Sequence, residues 1–418
     1  MDASDVDSLR KAFQDIDFVL VAVTTTKWAK QIAEKALETN IDYLDIYFQQ
    51  DIYPVLETMK RQIKQAGRCF ISQAGFHPGL PAAYVRKGAQ YLDKYDKAII
   101  AFSMNARIEK AESVYELVDV IADYKPEFYQ NGKWKIGTYK DAVKVDYGER
   151  FGVRSSMPLD MVEIKAIPEM FDLQETGVFT TGFNWFIDYL LSPFMILSQK
   201  IKKGSLRQFW AKMFIFGINK FSSVEEGVTF LLQAEGEKDG KRRDVEIISE
   251  HNSAYDLTVI PVIACLKQYL DDYVRKPGLW MMGHLVEPDR LFEDMEHGVR
   301  IETRVTKKCQ RQTAHRPPEG FTEDDEMKDV LIIGLVGLLW ELLPSDGGEL
   351  VTVIFFAPGG NRYCSHAAIA RRRRRLWSRA ALRDDTCRQS QRDNHRPFRI
   401  AAVPSTLGHA SIAEKHYA

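Results

Sequence analysis

Arg68-Cys69-Phe70-Ile71-Ser72-Gln73-Ala74-Gly75-Phe76-His77-Pro78-Gly79-Leu80-Pro81-Ala82 decides how this chain folds. Cys69 to Ser72 is a short β-run. Gly75 breaks it, Pro78-Gly79 forces a turn, and a helix can start near Ala82. A strand that ends in a rigid Gly/Pro loop puts that loop at the carboxyl edge of a sheet, where open α/β sheets bind ligands. The loop carries one titratable group, His77. Taken alone, it reads as a strand-to-helix connector with a solvated histidine.

The residues before it point further. Val6, Leu9 and Phe13 recur at helical spacing over 5–15. Asp17 to Val23 follows as an unbroken apolar run, the pattern of a strand buried on both faces of a parallel sheet. It ends in Thr24-Thr25-Thr26. Ala29, Ile32, Ala33, Ala36 and Leu37 then mark one face of a helix stopped by Asn40. Ile41 to Ile46 reads as a second strand, and Ile52, Val55, Leu56, Met59 and Ile63 as a helix that ends at Gly67. The order β-α-β-α-β with short loops predicts parallel strands and right-handed crossovers. No Gly-x-Gly-x-x-Gly occurs before residue 18. The chain is therefore expected to enter a dinucleotide domain part-way, as if truncated at the N-terminus.

From Lys97 the pattern changes. Val228, Phe230, Leu232 and Ala234 alternate with polar residues, Asp239-Gly240 supplies a turn, and Val245 and Ile247 alternate on the return. This predicts an antiparallel hairpin with one wet face. Helical stretches are expected at 111–123, 183–221 and 255–273, with Pro261 tolerable near a start or as a kink. The 183–221 stretch is apolar and aromatic. Asp188, Pro193 and the Lys200–Lys203 cluster interrupt it, so it reads as a buried or dimer-forming helical pair, or as a peripheral membrane contact. Leu291 to Ile301 closes this part with a helix and a strand.

The totals exclude several classes. The chain has 418 residues, 45% of them hydrophobic, with 58 acidic residues against 57 basic ones. That balance gives no pull toward nucleic acid or anionic membrane. Its five cysteines are odd in number and lack Cys-x-x-Cys spacing, which argues against a disulfide framework or a zinc site. With an acidic, polar N-terminus and no signal peptide, the setting expected is cytoplasmic. After about residue 307 lysine gives way to arginine, including the run Arg371 to Arg375, and hydrophobic periodicity is lost over 361–418. This predicts an aberrant, disordered tail. Within it, Met327 to Gly337 reads as a start methionine, a buried strand and a glycine turn, a damaged dinucleotide-domain opening.

Three groups of residues carry a family resemblance. They are Asp17 to Val23 with Ile41-Asp42-Tyr43-Leu44-Asp45; the loop Gln73-Ala74-Gly75-Phe76-His77-Pro78-Gly79-Leu80-Pro81; and Lys276-Pro277-Gly278 with Arg290-Leu291-Phe292 and Gly298-Val299-Arg300-Ile301. Over about residues 5–305 the chain resembles the saccharopine dehydrogenase family, saccharopine dehydrogenase-like oxidoreductases in the broad sense. The 73–81 loop is the most specific element. The missing Gly-rich loop and residues 308–418 depart from the family. The resemblance implies an α/β fold: a partial Rossmann-type parallel sheet with an inserted α+β substrate and dimerisation domain. The expected division is 1–96 for the partial dinucleotide-binding domain, 97–275 for the α+β domain, 276–307 for a helix and strand returning to the Rossmann domain, and 308–418 for the tail.

The resemblance implies hydride transfer between NADP or NAD and a small amino-acid, imine or carbonyl substrate. Val23, Thr24, Thr25, Thr26 and Gly75 would line the cofactor. Phe76, Pro78 and Gly79 would line the substrate. His77 is the candidate acid/base or, equally, a substrate hydrogen-bonding group, while Tyr43 and Asp45 read as structural. No metal and no nucleic acid are expected; a homodimer is. Without the Gly-rich loop, the expectation is weak cofactor binding and little turnover. The competing reading is a non-catalytic dimer or membrane-surface module.

Overall fold

The computed structural model describes residues 2–22, 26–106, 126–202, 206–222, 225–307 and 400–404, with Val114, Val118 and Tyr124 placed singly. Strands β1 (Phe18–Ala22), β2 (Asp42–Asp45) and β3 (Cys69–Ser72) pair in parallel, as the apolar runs predict. Their side chains are buried on both faces. Phe18, Leu20 and Ala22 enter one apolar cluster, and Val19 and Val21 enter another beneath the helix Ala29–Glu38. The helix expected over 52–63 is two pieces, Ile52–Glu57 and Lys60–Gln65. The helix after the loop runs Leu80–Ala89, with Pro81 in its first turn, where a missing N–H costs nothing.

The second sheet starts with β4 (Lys94–Asn105). It continues through β5 (Glu127–Gln130), β6 (Lys133–Ile136), β7 (Val143–Asp146), β8 (Val153–Leu159) and β9 (Glu175–Thr180). β10 (Gly227–Lys238) and β11 (Lys241–His251) form the expected hairpin, with Lys238 opposite Lys241 across Asp239-Gly240. Helix Ala254–Leu270 runs on through Pro261. The 111–123 helix lies outside the described residues.

Two strands then part company. β12 (Gly278–Met281) returns to the parallel sheet beside β3. β13 (Arg300–Lys307), expected to return there as well, instead pairs antiparallel with β11. The physical reason lies in composition. Gly278-Leu279-Trp280-Met281 is an apolar run that suits a sheet covered by helices. Arg300-Ile301-Glu302-Thr303-Arg304 alternates, and its charged side chains need the wet edge.

Of the tail, the structure describes Ile400–Pro404. It forms β14, parallel to β1, with Phe18 opposite Ile400. The parallel sheet therefore reads β12-β3-β2-β1-β14. A doubly wound sheet of order 3-2-1-4-5-6 would hold its first strand in the place of β14. The Met327–Gly337 segment lies outside the described residues.

Candidate functional site at the carboxyl edge

The 73–79 loop leaves β3 at the carboxyl edge of the parallel sheet, between two buried carboxylates. Asp45 at the end of β2 holds its start. Gln73 N donates to Asp45 Oδ1 at 2.8 Å, and Ala74 N donates to the Asp45 carbonyl oxygen at 2.9 Å. Glu163 holds its end. Gly79 N donates to Glu163 Oε1 at 2.7 Å, and Ala82 N donates to Oε2 at 3.3 Å. These two donors belong to the start of the Leu80–Ala89 helix, where N–H groups lack intrahelical partners. Both carboxylates are fully buried. Burial pushes Asp45 up to about 6 and Glu163 up to about 7, against the downward pull of the donated hydrogen bonds.

A second layer backs Glu163. His284 Nε2 lies 2.6 Å from the Glu163 carbonyl oxygen, and burial keeps that imidazole below its usual range. With the carbonyl as acceptor, Nε2 carries the proton. Gly79 has φ +122°, and a Cβ there would sit 2.5 Å from the Gly75 carbonyl oxygen. Glycine is thus required at 79 by both conformation and space. A Cβ on Gly283 would run into the Gly79 carbonyl oxygen and Glu163 Oε2.

His77 is 5% exposed, so the solvated connector does not describe this loop. Its ring lies 3.7 Å from that of Phe76 and 4.8 Å from that of Phe102, between centroids. Gly75, Phe76, His77 and Pro78 line a cavity of about 10 Å³ with Phe48 and Thr258. That is close to the volume one water requires. Gly79 packs apart from this cavity, on Glu163 and Gly283. Thr26 opens a 3₁₀ turn before the Ala29–Glu38 helix, whereas Val23, Thr24 and Thr25 lie outside the described residues.

A larger cleft, about 310 Å³, opens where β8 and β9 meet. Lys144, Arg154, Ser155, Thr181, Asn184 and Asp188 are among its lining residues. Asp188 is buried, accepts from Phe183 N at 3.0 Å, and is pushed up to about 8 by burial. Among the described residues, no cluster of His, Cys, Asp or Glu could hold a metal ion.

Sequence reasoning left Glu163 and this cleft unassigned and treated Asp45 as structural. One local signal for Glu163 existed: an acid set between Met161-Val162 and Ile164. A charged residue inside an apolar run is a mark of paired burial. Nothing local marks the cleft.

The described residues fit a dinucleotide in part. They provide a parallel sheet edge and a tightly held backbone loop. They do not provide a glycine-rich cradle for a pyrophosphate, and Glu163 already occupies the N–H groups that start helix Leu80–Ala89.

No family model matches the chain. Carboxynorspermidine synthase of Vibrio cholerae is 23% identical in an alignment 334 residues long that covers 71% of this chain and 79% of that protein. Among solved structures, DAP dehydrogenase of C. glutamicum in complex with DAP is similar at 13% identity and TM-score 0.33, over 70% of this chain and 84% of that one. A biliverdin reductase from Synechocystis, solved with biliverdin and NADP+, is similar at 10% identity and TM-score 0.26, over 69% and 79%.

Proposed function

We propose that this chain is an NAD(P)-linked oxidoreductase of the saccharopine dehydrogenase-like type, acting on a small amino-acid-derived imine or carbonyl compound. One observation carries the reading: a parallel sheet delivers His77 to its carboxyl edge in a loop clamped at both ends by buried carboxylates. Such clamping fixes an acid/base group to the accuracy proton transfer needs. The cationic rim of the second cleft suits a substrate that carries a carboxylate. A homodimer and a cytoplasmic setting accompany this reading as further proposals.

The test is a fluorescence titration of the full chain with NADPH and NADH. Weak, saturable binding is expected. Losing two charge-assisted hydrogen bonds from a missing cradle, each about 1.5–3 kcal/mol, weakens affinity by about a hundredfold or more. His77→Ala should leave that binding intact and lower turnover by about a hundredfold. No response to either nucleotide would sink the reading.

A further inference from the structure

We infer that the helical pair Ser192–Ile201 and Arg207–Phe221 seats the protein on the surface of an anionic lipid bilayer. Both helices bury one side and expose an apolar one. Met195, Trp210, Phe214 and Ile218 pack into the core. Outward, Leu190, Phe194, Leu197 and Ile201 recur at steps of four, three and four, which is one continuous helical stripe. Phe194 is 58%, Leu197 57% and Ile201 79% exposed. Leu206, Phe209 and Phe216 extend the apolar surface on the second helix. An apolar stripe of this length left in water marks an interaction surface.

Charge selects the occupant. Between Asp188 and Glu225 the sequence has no acidic residue, while Lys200, Lys202, Lys203, Arg207, Lys212 and Lys220 are all basic. Lys202, Lys212 and Lys220 are exposed alongside the stripe. A second copy docked through the same face would set these cations against their own equivalents, because a two-fold interface is self-complementary. An anionic headgroup layer takes the cations and the apolar stripe together. Trp185 and Tyr189, exposed at the start of the pair, are the side chains favoured at headgroup depth.

Length sets the mode. The helices have 10 and 15 residues, so the longer spans about 22 Å, short of a hydrocarbon core of about 30 Å. No helix among the described residues is long and apolar enough to cross a membrane. The pair therefore lies in the surface. A buried seam holds it rigid: a Cβ on Gly217 would strike the Phe186 ring and Ile187, so glycine lets the second helix approach this closely.

The experiment is flotation of the full chain with vesicles of phosphatidylcholine alone, or of phosphatidylcholine with about a third phosphatidylserine. Binding to the anionic vesicles, at least about tenfold stronger than to the neutral ones, is expected. The triple variant Lys202→Glu/Lys212→Glu/Lys220→Glu should lower anionic binding by about a hundredfold. Leu197→Ser/Phe209→Ser should lower it by about tenfold with an unchanged melting curve. Equal binding to both vesicle types, or none to either, would overturn the inference. So would a dimer in solution that dissociates in Leu197→Ser/Phe209→Ser, since the face would then belong to a second copy.

Discussion

Between Gln73 and Gly79 the chain buries polar groups; between Trp185 and Phe216 it exposes apolar ones. Either arrangement alone disfavours folding. At the loop the cost is offset inside the molecule, by backbone donors aimed at Asp45 and Glu163. At the helical pair nothing among the described residues offsets it. The loop is thus a locked device whose parts depend on one another, and the helical face is a set of separable side chains. The contrast predicts opposite sensitivities to mutation.

The largest effect is expected for Glu163→Ala. It leaves the Gly79 and Ala82 N–H groups buried without an acceptor and opens a cavity, costing about 4 kcal/mol in urea unfolding. Glu163→Gln keeps an acceptor and should cost about half of that. Gly79→Ala ranks next at about 3 kcal/mol, because the left-handed φ and the close Gly75 oxygen both oppose a Cβ. A mild effect from either variant would show that the loop is not locked.

The pH dependence has a definite sign. Burial raises Asp45 and Glu163 to about 6 and about 7, from 3.8 and 4.5 in an ordinary setting. Across that window the native state holds protons that the unfolded chain has released. The stability these two groups contribute is complete below about pH 4 and falls, by several kcal/mol, as pH rises through about 6 and about 7. Glu163→Gln should flatten the upper part of that slope; a slope unchanged in the variant would assign it to other groups. The smallest effect is expected at the other region. Leu197→Ser should shift stability by less than about 0.5 kcal/mol, measured by the same unfolding. A loss above about 1.5 kcal/mol would mean that this side chain packs against something and the two regions do not differ as described.

Much of the frame was legible in the residues. Strands buried on both faces need unbroken apolar runs, and Asp17 to Val23 and Cys69 to Ser72 are such runs. Asp239-Gly240 between alternating strands can be little else than a hairpin turn. The loop showed itself through glycine and proline, whose backbone limits act locally. What stayed hidden depends on separation along the chain. Glu163 meets Gly79 across 84 residues. His284 meets Glu163 across 121. Helical periodicity located the 183–221 segment, yet it cannot tell which of two apolar faces the fold will cover. Arg300 to Lys307 was misplaced because the resemblance, rather than its own alternating pattern, assigned it a sheet.

The pairing of β14 with β1 has a consequence for the order in which the sheet assembles. β1 and β2 meet after a short excursion of chain, whereas β14 meets β1 only after nearly the whole chain has been threaded. Closing the longer loop costs about 2–3 kcal/mol more in chain entropy. The central strands therefore serve as a template, and Ile400–Pro404 is the last strand to join and the first to leave. Amide hydrogen exchange should register this as fast exchange at Ile400 to Val403 while Leu20 and Ile71 stay protected.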